Sequence, residues 1–148
     1  MKHIFTNYKL ELVKEESKKY EVDNVIESPD DIYNVCKNIL RLDKQAEEVL
    51  QILALNNKNK VIGLFEVSRG SIDSSICNPR EIFKRLLLIN ASKFILAHNH
   101  PSGDETPSKD DILIAQHIKQ CGDLLNIELL DFCVIGKKLY SFKSEFII

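Results

Sequence analysis

Two histidines, a serine and an aspartate follow one another at spacings that suit a metal ion. The motif runs His98-x-His100, then Ser108 after seven intervening residues and Asp111 after two more. Residues i and i+2 of a strand project from one face about 6.6 Å apart, so both imidazoles can reach one ion. Taken alone, two histidines at this spacing are more often part of a polar turn, each ring meeting a backbone carbonyl.

Asp111 changes this balance because of its place in the helix that Ser108 is predicted to begin. As the third helical residue it suits a capping box, but it also lies in line with the core-facing Ile114, Ala115 and Ile118. A buried ionised carboxylate must be paired or bind a metal. Two histidines and one carboxylate leave a fourth tetrahedral position for water, which is typical of a catalytic zinc site.

A metal-bound water needs a base that is not itself a ligand, and Glu66 is the candidate. Glu66 aligns with Ile62 and Leu64 near the end of a strand that is apolar on both faces. Either its carboxylate is buried there, or the strand has already reached solvent. Ser108 also has two interpretations: it caps the helix, or its hydroxyl donates to a developing oxyanion.

The segments around these residues predict strands and helices that are interspersed along the chain. Ser28-Pro29-Asp30-Asp31 and Asn78-Pro79-Arg80-Glu81 are both typical of helix starts. Val49–Leu55 and Val61–Val67 flank a polar turn and predict a β-hairpin. Lys93–His98 is apolar on both faces, which predicts a central strand.

The rest of the pattern completes an α/β prediction. The further elements are a helix of about fourteen residues after Ser108 and strands over Ile127–Ile135 and Lys138–Phe142. A hairpin among interspersed helices favours a mixed sheet flanked by helices over an all-parallel one. We predict an N-terminal extension over residues 1–26, with an edge strand at Tyr8–Val13, and one domain over residues 27–148.

Composition and charge narrow the classes of function. The chain has 148 residues, and its 44% hydrophobic and 28% charged residues fit one globular domain. Twenty basic against twenty-two acidic side chains give a net charge of −2, which disfavours direct DNA binding. No apolar run is long enough to cross a bilayer and no signal peptide is visible, so we expect a cytoplasmic protein. The four cysteines, including Cys77, are widely spaced, so we predict that their thiols are reduced.

Together these residues resemble the zinc-bearing members of the JAB1/MPN/Mov34 family, which carry an upstream glutamate and then H-x-H-x(7)-S-x(2)-D. The H-N-H-P-S-G-D start at His98 and the P-S-x-x-D finish at Asp111 are similar to the RadC branch in particular. Flanking segments support this branch, and they are Ser68–Gly70, Asn78–Glu81 and Leu130–Gly136. The resemblance extends roughly from Glu27 to Phe142.

The resemblance implies a cytidine-deaminase-like, three-layer α/β fold that holds one zinc ion. It implies that His98, His100 and Asp111 are the metal ligands, that Glu66 is the acid/base and that Ser108 assists the oxyanion. The activity it implies is hydrolysis of a peptide or isopeptide bond in a protein or peptide substrate. Nucleobase deamination expects H-x-E followed by P-C-x-x-C, and the sequence has neither motif.

An alternative function follows from the same resemblance. The RadC branch carries a DNA-repair name, short RadC-like proteins occur in mobile or phage-related DNA, and MPN domains also act as scaffolds. The alternative is therefore a repair- or mobile-element-associated factor, or a protein-binding scaffold, without peptidase activity. The sequence assigns no role to Arg69 or Cys77, which follow Glu66.

Overall fold

A single mixed sheet forms the centre of the computed structural model, which describes residues 1–70 and 77–148. Its five strands lie in the order β2-β1-β3-β4-β5. The strands are β1 (Val49–Leu55), β2 (Val61–Arg69), β3 (Lys93–Asn99), β4 (Glu128–Ile135) and β5 (Leu139–Ser141). β3 and β4 are parallel, and the other neighbouring pairs are antiparallel. The predicted mixed α/β fold is confirmed.

Three α-helices flank this sheet in the described residues, and each begins with a side-chain cap. The helices are α1 (Pro29–Asn34), α2 (Pro79–Leu88) and α3 (Lys109–Leu125). Ser28, Asn78 and Ser108 cap them through side-chain oxygens that accept backbone N–H groups, as the sequence predicts. After α1 the chain continues as a π-helical turn over Val35–Ile39.

Hydrophobic side chains cover both faces of the sheet and give the fold three layers. On one face Phe94 and Leu96 of β3 pack with Ile114 and Ile118 of α3. On the other face Ile95 of β3 belongs to the cluster built on α1 and the turns that follow it. Because β3 supplies alternate residues to both layers, it is the central strand that its apolar sequence predicts. None of the described helices is long and apolar enough to span a membrane.

The parallel pairing of β3 with β4 fixes where the histidine and aspartate segments meet. Parallel neighbours need a long crossover connection, and α3 supplies it. A short loop separates the end of β3 from the beginning of α3, so His98 and Asp111 lie at the same end of the sheet. In α3, Asp111 is buried together with Ile114, Ala115 and Ile118, which confirms the predicted core-facing stripe.

Two predictions are wrong, namely the edge strand at Tyr8–Val13 and the burial of β2. The segment Tyr8–Val13 forms no strand, and residues 1–20 are exposed without secondary structure. A strand needs a partner edge, and the start of β2 is met instead by Asn24, whose carbonyl accepts the Val61 N–H at 2.7 Å. β2 is also not the buried strand that its sequence predicts. It is the outer strand of the sheet, and none of its residues is fully buried.

A buried carboxylate joins β4 to the C-terminal turn. Asp131 is 3% exposed and accepts hydrogen bonds from the N–H groups of Phe132 and Lys143, at 2.8 and 3.0 Å, and from the Ser141 hydroxyl. Burial raises the pKa of Asp131 although these donors oppose the shift. The ionised form is therefore less favourable in the folded protein than in the unfolded chain.

We predict that Asp131→Asn folds with a free energy of unfolding within about 1 kcal/mol of the wild type, because asparagine retains an acceptor for both N–H groups. Asp131→Ala leaves two buried donors and one partly buried donor unpaired and costs on the order of 3 kcal/mol. Since the folded pKa lies above the unfolded one, wild-type stability should increase relative to Asp131→Asn as pH falls through the folded value. Urea unfolding over a pH series from about 7 down to the ordinary range of a carboxyl group, about 4, measures both effects. Equal losses in the two variants would contradict this prediction.

Candidate metal centre

Three side chains that can bind a metal converge where β3 ends and α3 begins. One nitrogen or oxygen atom from each of His98, His100 and Asp111 lies within 4.8 Å of the others. His98 Nε2 is 2.9 Å from Asp111 Oδ1, and His100 Nε2 is 3.4 Å from Asp111 Oδ2. The structure thus brings together the three residues that the sequence predicts as ligands, from two elements that are adjacent in the chain.

His98 is buried in the core, and in the described structure its Nδ1 lacks a hydrogen-bond partner. It is 1% exposed, it lies between Leu50 of β1 and Val134 of β4 in the sheet, and its ring packs edge-on against Phe132 at 5.7 Å. Within the described residues, Nδ1 has no hydrogen-bond partner, and Nε2 has only its 2.9 Å contact with Asp111 Oδ1. Unpartnered buried polar atoms are rare, and a metal ion bound at one ring nitrogen would satisfy it.

His100 is oriented by the backbone of the loop that follows it. Its Nδ1 lies 2.8 Å from the carbonyl oxygen of Asp104, and a ring N–H at this position leaves the Nε2 lone pair for a metal. The backbone N–H of His100 donates to Ile135 of β4 at 2.9 Å, which extends the sheet contact past the end of β3. No residue type signals the carbonyl of Asp104 in the sequence, so this contact could not be predicted.

The same loop is packed tightly against the turn between β4 and β5. A Cβ atom on Gly136 would lie 2.5 Å from the carbonyl oxygen of Gly103 and 2.7 Å from the Glu105 nitrogen. The N–H of Lys137 donates to that carbonyl at 2.8 Å. Glycine is therefore required at position 136, because the loop that places Asp104 beneath His100 has no room for a side chain there.

Asp111 is 2% exposed, and its neighbours keep its carboxylate ionised. Its Oδ2 accepts the backbone N–H of Ser108 at 2.7 Å. Burial by itself raises the pKa of Asp111, but the adjacent His98 and the hydrogen bonds with Ser108 outweigh it and lower the pKa to about 2. The buried carboxylate is thus already the anion that a divalent metal requires.

Ser108 completes a capping box through its backbone N–H and its hydroxyl oxygen. Its Oγ accepts the N–H of Asp111 at 3.0 Å, while Asp111 accepts the N–H of Ser108 in return. The cap itself uses a lone pair of the hydroxyl oxygen and not its proton. The residue is exposed, so capping and donation to an oxyanion are compatible rather than competing tasks.

Glu66 lies at the same end of the sheet but does not join the cluster. It pairs with Gln51 of β1, whose neighbour Leu50 pairs with His98, so it is two strands away from the metal centre. Its side chain is 43% exposed, and both carboxylate oxygens contact Arg69. The solvent-facing alternative for this position is therefore correct, while the catalytic role of Glu66 stays a prediction.

Two other residues, Cys77 and Asn99, have surroundings that fit a role in the fold. Cys77 is buried and free, and burial raises the pKa of its thiol to about 11. Asn99 is buried, accepts the N–H of Val49 at 2.8 Å and donates to the Glu47 carbonyl at 2.9 Å, which attaches the start of β1 to β3. A cavity of about 290 Å³ lies beside His100, and no residue pattern in the sequence indicates it.

The donor set fits zinc. Two imidazole nitrogens and one carboxylate oxygen are the ligands of many catalytic zinc sites, and a fourth position stays free for water. The convergence of the three donor side chains and the Nδ1 of the buried His98, unpartnered among the described residues, are the observations that support this fit. His98, His100 and Asp111 would hold the ion.

We predict that Ser108→Ala lowers the free energy of unfolding by about 1 kcal/mol, because the N-cap of α3 is lost. Ser108→Asn should restore this stability, since asparagine caps helices as well as serine does. Chemical denaturation of the metal-free proteins measures both changes. A variant Ser108→Ala as stable as the wild type would show that the observed cap does not stabilise α3.

Comparisons with known proteins identify the family of this domain. The family model described as RadC-like JAB domain matches residues 26–147. A UPF0758 protein of Clostridium botulinum (strain Alaska E43 / Type E3) is 48% identical over 120 residues, which are 81% of this chain and 52% of the relative. The UPF0758 protein YsxA of Bacillus subtilis (strain 168) is 47% identical over 122 residues, 82% of this chain and 52% of its own.

The matches cover most of this chain but a smaller share of each relative. This chain spans about half the length of the curated relatives that it matches. The family model covers the sheet, its flanking helices and the metal centre. The chain therefore belongs to the RadC-like JAB domain family.

Proposed function

We propose that this domain is a zinc-dependent hydrolase of the JAMM type that cleaves a peptide or isopeptide bond. The observation that carries the proposal is the convergence of His98, His100 and Asp111 in a buried site, where His98 Nδ1 has no hydrogen-bond partner in the described part of the chain. A buried imidazole beside an ionised carboxylate is costly to maintain for structure alone. Such clusters are candidates for function.

The ligand residues have a defined task in this proposal. A zinc ion bound there would lower the pKa of its water towards about 7 and polarise the scissile carbonyl. His98 and His100 would contribute neutral nitrogens, and the contact of His100 Nδ1 with the Asp104 carbonyl fixes which nitrogen is free. Asp111 would contribute one oxygen while Oδ2 stays bonded to the N–H of Ser108.

Glu66 and Ser108 would supply the proton transfers and the hydrogen bonding of the reaction. A Glu66 oxygen would accept a proton from the attacking water and deliver it to the leaving amine. The Ser108 hydroxyl, which uses only a lone pair in the cap, would donate to the oxyanion that develops on the carbonyl. Glu66 would have to leave its contacts with Arg69 to act there, because its strand lies two strands away from the metal centre.

A protein or peptide is the substrate class that we propose. The net charge of −2 gives no general attraction to nucleic acid. The cavity of about 290 Å³ beside His100, lined also by Tyr33, Gln45 and Lys137, offers space for a side chain next to the metal centre. The names of the relatives describe no activity. The proposal concerns only the domain that they share with this chain.

We predict about one zinc per chain in the wild type and little in His100→Ala, because two remaining ligands do not hold zinc tightly. His117→Ala is the matched control, since His117 is exposed on α3 and lies outside the cluster. Plasma mass spectrometry of the purified, reconstituted proteins measures the metal content. Zinc retained equally in all three proteins would place the metal elsewhere, and zinc in none would refute the hydrolase proposal.

We also predict that Glu66→Gln keeps its zinc but loses turnover by roughly two or more orders of magnitude, because the amide cannot accept the water proton. Glu128→Gln, on the exposed start of β4, is the control and should retain activity. The measurement is cleavage of a peptide and isopeptide library by the zinc-loaded proteins. Undiminished cleavage by Glu66→Gln would exclude Glu66 as the base while leaving the zinc site intact.

A further inference from the structure

The contact between Glu66 and Arg69 has a geometry that suggests more than surface pairing. Arg69 Nε and Nη2 donate to the two oxygens of Glu66 at 2.9 and 3.0 Å, which is a bidentate pair. A general base needs an oxygen free to accept a proton within hydrogen-bond distance. In this arrangement the guanidinium directs the Glu66 carboxylate along β2, two strands away from the metal centre, where it cannot reach a water bound there.

An irregularity in the sheet makes this contact feasible. Residues three apart on a regular strand point to opposite faces, so Glu66 and Arg69 would not meet. The pairing of β2 with β1 shifts at this point, because Gln51 is opposite Glu66 while the adjacent Leu50 is opposite Ser68. The extra residue forms a β-bulge between the two partners of the ion pair. Bulges often re-aim side chains next to functional sites.

Arg69 is also connected to the wall of the cavity beside His100. Its Nη1 donates to Gln45 Oε1 at 3.0 Å, and Gln45 and His100 both line that cavity. The guanidinium therefore bridges the glutamate of β2 and the segment that precedes β1. A molecule that enters the cavity would meet Gln45, one of the two groups that hold Arg69 in place.

We propose that Arg69 is a positioning residue that holds Glu66 in a resting position away from the metal centre. Glu66 becomes available as acid/base only after it exchanges its contacts with Arg69. This inference rests on the proposed function. The side chains of Arg69 and Glu66 are 42% and 43% exposed, and an ion pair so exposed is weak, so the exchange needs little driving force.

The first test measures the availability of the Glu66 carboxylate without any substrate. A carbodiimide with glycine ethyl ester labels free carboxylates, and peptide mass spectrometry gives the rate at Glu66 in the zinc-loaded protein. Arg69→Gln should raise this rate by roughly two- to fivefold, the range set by the strength of an exposed ion pair. Lys119→Gln removes an exposed pair with Asp123 on α3 and should leave the rate at Glu66 unchanged.

The second test separates the role of Arg69 from a structural one. With a cleavable peptide identified, Arg69→Gln should retain or increase kcat, with KM changed little, while Glu66→Gln abolishes turnover. Unchanged labelling of Glu66 in Arg69→Gln overturns the proposal, and so does a kcat that falls towards that of Glu66→Gln. If the zinc-loaded wild type cleaves no peptide, the proposed function fails, and the labelling rate alone still decides whether Arg69 restrains Glu66.

Discussion

The arrangement of this domain depends on one constraint, which is that the carboxylate of Asp111 is buried. Asp111 is buried on the core-facing side of α3, where an uncompensated charge would destabilise the fold. Its compensation comes from the first turn of its own helix, through the N–H of Ser108, and from the imidazole of His98 on the central strand. The start of α3 and the end of β3 must therefore lie together, and the parallel pairing of β3 with β4 brings them there.

Local sequence was informative wherever local physics decides the outcome. The helix starts at Ser28, Asn78 and Ser108 follow from capping chemistry, and the hairpin of β1 and β2 follows from two apolar runs around a polar turn. The cluster of His98, His100 and Asp111 follows from alternation in a strand combined with periodicity in a helix. In each case the deciding contacts are made by residues that are near one another in the chain.

Features that depend on the order of the strands could not be predicted from the sequence. The apolar pattern of β2 is that of a buried strand, but β2 lies at the edge, and Glu66 is exposed as a result. The bulge opposite Gln51 and the contact of the Asp104 carbonyl with His100 involve backbone groups, which no residue type announces. Tyr8–Val13 has the alternation of a strand and finds no partner strand.

The division of the ligands between β3 and α3 has a thermodynamic consequence for the whole domain. In the unfolded chain, the loop after His100 and the frayed first turn of α3 leave Asp111 unplaced, so an ion gains little from that state. A metal that binds only the folded form adds to stability as its free concentration rises above its dissociation constant, by about 2.7 kcal/mol at a hundredfold excess. The supply of metal in the surroundings would then set how long a chain resists unfolding and proteolysis, independently of any bond that the site cleaves.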